Sequence, residues 1–177
     1  ILTQKKENKN MNLLTQNSKI KKTSKHFGVN LFNFSIPAYK SKTGEITCPL
    51  AGECVKFCYA QKGFYKLSQK WAELKFDATK KDTFVNDMIK DIKAKKAEFV
   101  RVHDSGDYYS KEYLLKWFEI AEKMPDIKFY SYTNNVNMIK KLKNIPENYD
   151  FIFSDSGKQS HLIDKKVDRH TKIFKSL

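Results

Sequence analysis

The sequence predicts an α/β fold, either a partial (β/α) barrel or an open parallel sheet, with a metal site built on a cysteine loop. Two observations carry this. Short aromatic and β-branched runs alternate with amphipathic helical stretches along residues 31–177, the pattern of parallel strands joined by crossover helices. Each run also ends in a polar loop, and in parallel α/β folds ligands lie beyond the carboxyl ends of the strands. The loops are the cysteine stretch 48–63, then Asp104-Ser105-Gly106-Asp107, Thr133-Asn134-Asn135 and Ser154-Asp155-Ser156-Gly157. They are expected to meet at one mouth.

Residues 1–30 read as a basic, flexible leader, because Lys5, Lys6, Lys9, Lys19, Lys21, Lys22 and Lys25 face only Glu7. Met11 is a possible natural start. The domain proper begins with Phe32 to Ala38, a short strand stopped by Pro37. After the cysteine loop, Ser68 is placed as the cap of a helix with Trp71, Leu74 and Ala78 on its apolar face. Asp82 or Thr83 is placed before a second helix carrying Phe84, Val85, Met88, Ile89 and Ile92. Residues 98–103 form the next strand. Ser110 then caps a helix that buries Tyr113, Leu114, Trp117, Phe118 and Ala121 and stops before Pro125. Residues 127–132 and 149–153 complete four strands, with a short helix over 136–142 between them and a weakly patterned basic tail from Lys158.

The 177 residues suit one domain with a real core, since aromatics make up 14% of them. The net charge of +14 points to a polyanionic partner, nucleic acid or an anionic substrate, or else to lysine filling solvated positions. Only Arg101 and Arg169 are arginine, which argues against a dedicated reader of DNA sequence. No long apolar run predicts a membrane span and no signal-peptide pattern is present. The expected location is therefore cytoplasmic, where thiols stay reduced. Walker, nucleophile-elbow and His-Glu-x-x-His patterns are absent.

All three cysteines, Cys48, Cys54 and Cys58, lie on one loop with Pro49, Gly52 and Gly63. Three thiolates can hold a structural zinc if a fourth ligand such as His103 or His26 arrives. They can instead hold three irons of a [4Fe-4S] cluster and leave the fourth open. Unligated thiols are the plainer alternative. The chain has no second Cys knuckle of the zinc-ribbon kind, which favours the cluster over zinc. His103, Asp104 and Asp107 form the next densest polar group, suited to acid–base work or to a turn. Ser154, Asp155 and Ser156 suit hydrogen bonds to a ribose or carboxylate. Tyr108, Tyr109, Tyr130 and Tyr132 suit either base stacking or core positions. Trp71 and Trp117 read as core, and His161 and His170 as solvated.

A strand leading into a three-cysteine loop, then helix, strand and a Gly-acid turn, resembles the front half of a radical S-adenosylmethionine enzyme. That resemblance implies a cluster on Cys48, Cys54 and Cys58 whose open iron binds S-adenosylmethionine, with Phe57 near the adenine. It implies that the Ser105-Gly106-Asp107 turn binds the methionyl amino group. The spacing here is Cys-x5-Cys-x3-Cys and the turn is SGD, where the superfamily usually has Cys-x3-Cys-x2-Cys and GGE. The longer pattern CPxAGxCxxxCYAxxGxY, followed by RxHxSGDYYSxEY and FYSYT, also resembles the gene product 88 family of phage-encoded proteins over residues 28–157. Members of that family continue with further cysteines, so the chain reads as a short or truncated form. The functional expectation is thus an iron–sulfur protein, which the first resemblance implies to be a radical S-adenosylmethionine-type enzyme, acting on an anionic substrate; with its phage-encoded relatives the expected location is the host cytoplasm. The alternative is a non-catalytic, metal- or cluster-stabilised protein that binds nucleic acid or a host protein through its basic surface.

Overall fold

Five short strands form one parallel sheet in a computed structural model that describes residues 12–63 and 65–171. They are β1 (Leu31–Phe34), β2 (Phe99–Val102), β3 (Lys128–Thr133), β4 (Tyr149–Ser154) and β5 (His170–Thr171). Spatial order follows chain order, and every neighbouring pair is parallel. The helices are α1 (Ser18–Phe27), α2 (Cys54–Phe57), α3 (Tyr65–Thr79), α4 (Phe84–Lys95), α5 (Lys111–Lys123) and α6 (Val136–Lys140). Among the described residues no helix is long and apolar enough to cross a membrane.

Of the two architectures expected, the sheet is the open one. β1 and β5 lie at opposite edges and do not pair, so no barrel closes. The β1 edge is met by Thr15 instead. Its N–H donates to the Asn33 carbonyl at 2.9 Å, and the Asn33 N–H donates back at 2.8 Å. This single antiparallel bridge satisfies part of an edge that would otherwise offer free backbone groups.

The bridge also corrects the expectation of a flexible leader. Leu13 and Leu14 are buried in the core, and α1 is capped by Asn17, whose side chain accepts from the Ile20 N–H at 2.9 Å. The charge run misleads because Lys19, Lys21, Lys22 and Lys25 occupy the exposed side of a helix whose Ile20 is buried. The same expectation for residues 1–11 lies outside the described residues.

Strand register builds the core. Phe32, Val100, Phe129 and Tyr149 form one row across the sheet, and Phe34, Val102, Ser131 and Phe151 form the next. α4 and α5 pack side by side on this face with Phe84, Val85, Met88 and Ile92 from one helix and Tyr113, Leu114, Trp117 and Phe118 from the other. Trp117 sits at the centre, its ring 5.2 Å from Phe34, 5.7 Å from Phe84 and 6.4 Å from Phe129. α5 starts as expected, with the Ser110 hydroxyl accepting from the Tyr113 N–H at 3.1 Å.

α3 departs from the sequence reading. It begins at Tyr65, so Ser68 lies inside it and is no cap. Its buried stripe is Ala72, Lys75, Phe76 and Thr79, spaced i, i+3, i+4, i+7, and Ala78 is buried as expected. Trp71 and Leu74 fall beside that stripe and are 60% and 40% exposed. The apolar pattern pointed one residue off because a lysine holds a core position. β5 was also missed, since two residues carry no periodic signal. Tyr108 is buried in the core and unavailable for base stacking, whereas Tyr109, Tyr130 and Tyr132 are half-buried.

The two tryptophans give a direct check. Trp117→Ala is expected to cost about 3–5 kcal/mol of unfolding free energy, from lost burial plus a cavity. Trp71→Ala should stay within about 0.5 kcal/mol. Urea denaturation of both variants measures the difference, and similar losses would contradict the packing described.

Candidate functional site

The four polar loops do converge, and the backbone explains how. The Asp104 N–H donates to the Phe34 carbonyl at 2.9 Å, and Ile36 N–H to the Ser105 carbonyl at 3.1 Å, which continues the β1–β2 pairing into the loops. Ser105 Oγ donates to the Ile36 carbonyl at 2.7 Å. Gly106 has φ +85° and faces Ile36 so closely that a Cβ would lie 2.1 Å from its Cγ1. Asp107 is 2% exposed and ties the loops after β2 and β3 together. One carboxylate oxygen accepts from Tyr108 N–H at 2.8 Å and Thr133 Oγ1 at 2.7 Å, and the other from Asn134 N–H at 2.9 Å. The Asp107 N–H donates to the Thr47 carbonyl at 3.0 Å, next to Cys48. On the far side, Gly52 lies against the Ser156-Gly157 backbone, where a Cβ would be 3.0 Å from the Gly157 carbonyl carbon.

The cysteine loop is thus pinned at the mouth with all three sulfur-bearing residues half-buried and none in a disulfide. Burial pushes the Cys48 thiol far up, and the charges of Asp107, Cys54 and Cys58 push it further. Cys54 is raised by burial, then by Cys58 and Asp107; the Ser156 hydroxyl opposes this and favours the thiolate. Cys48 and Cys54 therefore lie where negative charge is disfavoured, each within electrostatic reach of Cys58. They do not yet converge: among the described residues no three His, Cys, Asp or Glu side chains stand close enough to share a metal ion. The amides of the three cysteines make long hydrogen bonds, 3.4 Å for Cys48, 3.3 Å for Cys54 and 3.5 Å for Cys58, at the weak end of the usual range. The donor set, three thiols beside one carboxylate, suits a soft cationic centre.

The histidines are elsewhere. His103, in the left-handed region at φ 68°, is 3% exposed and shares a 2.8 Å hydrogen bond between Nε2 and the Tyr113 hydroxyl. Its ring packs edge-on against Tyr108 at 4.7 Å, and burial lowers its pKa to about 3. It is a neutral core residue, not an acid–base group at the mouth. His26, near the end of α1, shortly precedes the start of β1 and so sits by the opposite end of the sheet. His161 is exposed, while His170 is half-buried with Nδ1 2.9 Å from the Asp168 carbonyl oxygen. Asp104 is buried beside Arg101, 3.2 Å from its guanidinium, and accepts from Asn17 Nδ2 at 2.7 Å.

Phe57 and Asp155 do come together. With Gly52, Glu53, Ser156 and Ser160 they line a cavity of about 390 Å³ beside the cysteine loop. Phe57 is 48% exposed, and Asp155 pairs with Lys165 at 2.9 Å. Ser154 ends β4, paired with Thr171 of β5. Ser105 instead lines a second cavity with Asn33, Trp71 and Lys75. Sequence reading passed over Lys75 and Asn33. The available signal was a lysine at a core-spaced position of α3.

A family model described as "Gene product 88" matches residues 3–176. The gene 88 protein of Mycobacterium phage L5 is 33% identical over 102 residues, which covers 49% of this chain and 42% of that protein. The gene 88 protein of Mycobacterium phage D29 gives the same figures. The chain thus spans less than half the length of these relatives. No solved structure matches.

Two measurements test this arrangement. Gly106→Ala is expected to cost about 2–4 kcal/mol, from the disfavoured φ and the clash with Ile36; chemical denaturation reads it. For His103 the folded pKa of about 3 lies below the ordinary 6.5. The unfolded chain then binds the extra proton, so stability falls as pH drops from 6.5 towards 3, by up to about 1.4 kcal/mol per unit. His103→Asn, which tolerates the left-handed backbone, should flatten that limb. An unchanged slope would remove His103 as its source.

Proposed function

The chain belongs to the gene product 88 family, and from that footing we propose that it is an iron–sulfur protein whose Cys48, Cys54 and Cys58 hold three irons of a [4Fe-4S] cluster. The observation that carries this reading is that Cys48, Cys54 and Cys58 are half-buried on one loop at the carboxyl ends of parallel strands, where burial and the charge of Asp107 oppose thiolate formation at Cys48 and Cys54. A cationic centre would remove that opposition, because metal-bound thiols are deprotonated. The long hydrogen bonds of the cysteine amides leave the loop room to draw the sulfurs together. Zinc remains the alternative metal, but it needs a fourth ligand, and His103 is committed to the core while His26 sits by the other end of the sheet.

Bound there, the cluster would supply one-electron chemistry at an iron without a protein ligand. The cavity beside it suits S-adenosylmethionine: Glu53 and Asp155, paired with Lys56 and Lys165, keep carboxylate oxygens that can accept from a hydroxyl-bearing ligand, and Phe57 offers a flat face to a base. Its volume of about 390 Å³ falls in the usual range for ligand sites. Asp107 acts here as a positioning residue, since its oxygens hold the loops after β2 and β3 in place. The net charge of +14 favours an anionic substrate.

Purification without oxygen should yield about four irons and matching sulfide per chain, with an EPR signal after reduction that changes on adding S-adenosylmethionine. Cys54→Ser should lose the iron while keeping the circular dichroism spectrum. Asp155→Asn should weaken cofactor binding and leave iron content alone. Zinc in place of iron, or a cluster indifferent to the cofactor, would turn the reading towards a metal-stabilised protein that binds nucleic acid or a host protein through its basic surface.

A further inference from the structure

Among the described residues, Lys75 is a cation that the fold buries without a counter-ion. It is 5% exposed on the inner stripe of α3. Its ammonium has three hydrogens to donate, and the structure gives it one hydrogen bond, a long one of 3.3 Å to Thr15 Oγ1, with the Phe34 ring 5.8 Å away. Asp91, the acid that acts on it, is already bonded to Lys95 and to the Leu14 N–H at 2.7 Å. A buried charge normally persists only when paired.

Lys75 lines a cavity of about 230 Å³ together with Thr15, Asn33, Ser35, Trp71 and Ser105. Asn33 is 3% exposed, and its Oδ1 has no hydrogen-bond partner among the described residues. The same cavity therefore holds an unmet cation and an unmet acceptor. The carboxylate that also lines it, Asp104, is paired with Arg101 and accepts from Asn17 and the Tyr59 hydroxyl. Trp71 contributes an indole ring that is 60% exposed. The site is at the carboxyl ends of β1 and β2 and shares no lining residue with the cavity beside the cysteines.

We propose that this cavity binds a small carboxylate or phosphate ester that also carries a hydroxyl or N–H group. The anion takes the unused hydrogens of Lys75, the donor meets Asn33 Oδ1, and the body of the ligand lies against Trp71. The volume limits it to a molecule of a few carbons. This site does not depend on the cysteines being metallated.

Burial lowers the Lys75 ammonium to about 8; Asp91 opposes this and Lys95 adds to it, both from α4, while Asp104 faces the cavity from the end of β2. Anion binding is therefore expected to weaken as pH rises through that value and the ammonium loses its proton.

Trp71 and Trp117 are the two tryptophans of the chain, and Trp117 is fully buried. Fluorescence titration with lactate, glycerol phosphate and sulfate reads the site directly. Lactate or glycerol phosphate should change the emission saturably at millimolar concentration, and which of them does so tells carboxylate from phosphate. Sulfate, which offers no donor to Asn33, should bind more weakly. Lys75→Met should weaken binding about tenfold or more while the protein stays folded, and it should abolish the fall in affinity above pH 8. Asn33→Asp, which gives Lys75 a counter-ion, should weaken binding similarly and serves if the first variant fails to fold. No saturable change with lactate or glycerol phosphate, or unchanged affinity in the variant that folds, would overturn the proposal. Equal affinity for sulfate would overturn the role of Asn33.

Discussion

The carboxylate of Asp107 is the constraint on which the mouth of this protein depends. A buried acid is costly unless its oxygens are met, and here they are met by groups from the β3 loop as well as by its own neighbour. Its N–H reaches back to Thr47, beside the first cysteine. One residue thereby fixes the loops after β1, β2 and β3 relative to one another. Burial still raises its pKa, with those hydrogen bonds opposing the shift. The same charge bears on Cys48 and Cys54. The group that assembles the mouth thus adds to what burial does to its thiols.

Those electrostatics run against the protein as a whole. The chain carries +14, and at its mouth Glu53 and Asp155 are paired with Lys56 and Lys165, while three thiols lie beside the buried Asp107. A cationic centre suits such a place. A short way along the strand ends the sign reverses, because Lys75 is buried while Asp104 is paired with Arg101. The turn Asp104 to Asp107 faces both ways: Asp104 and Ser105 line the cavity of Lys75, while the charge of Asp107 bears on Cys48 and Cys54. Gly106 makes that turn possible by packing against Ile36 where no side chain fits.

Much of the fold was legible. Strand–helix alternation predicted the parallel sheet, and Ser110, Trp117 and the α4 stripe sit where their spacing placed them, because burial on a regular element leaves a periodic trace. The convergence of the four loops followed from topology alone. What lacked a trace was decided by contacts distant in sequence. Leu13 and Leu14 join the core through a bridge to β1, while lysines dominate the local composition. β5 is two residues long and exists only as a partner of β4. Trp71 looked like core and is exposed, since Lys75 took the inner position.

The sequence by itself determined the class of fold, the single cysteine loop and its place at the strand ends, because these depend on local pattern and chain order. Only the tertiary structure decided that the sheet stays open, that His103 is a neutral core residue, and that Asp107 binds loops together. It alone decided that Lys75 and Asn33 share a cavity. These outcomes turn on which polar groups find partners after packing, and partners that far apart in the chain leave no mark on the residues between them.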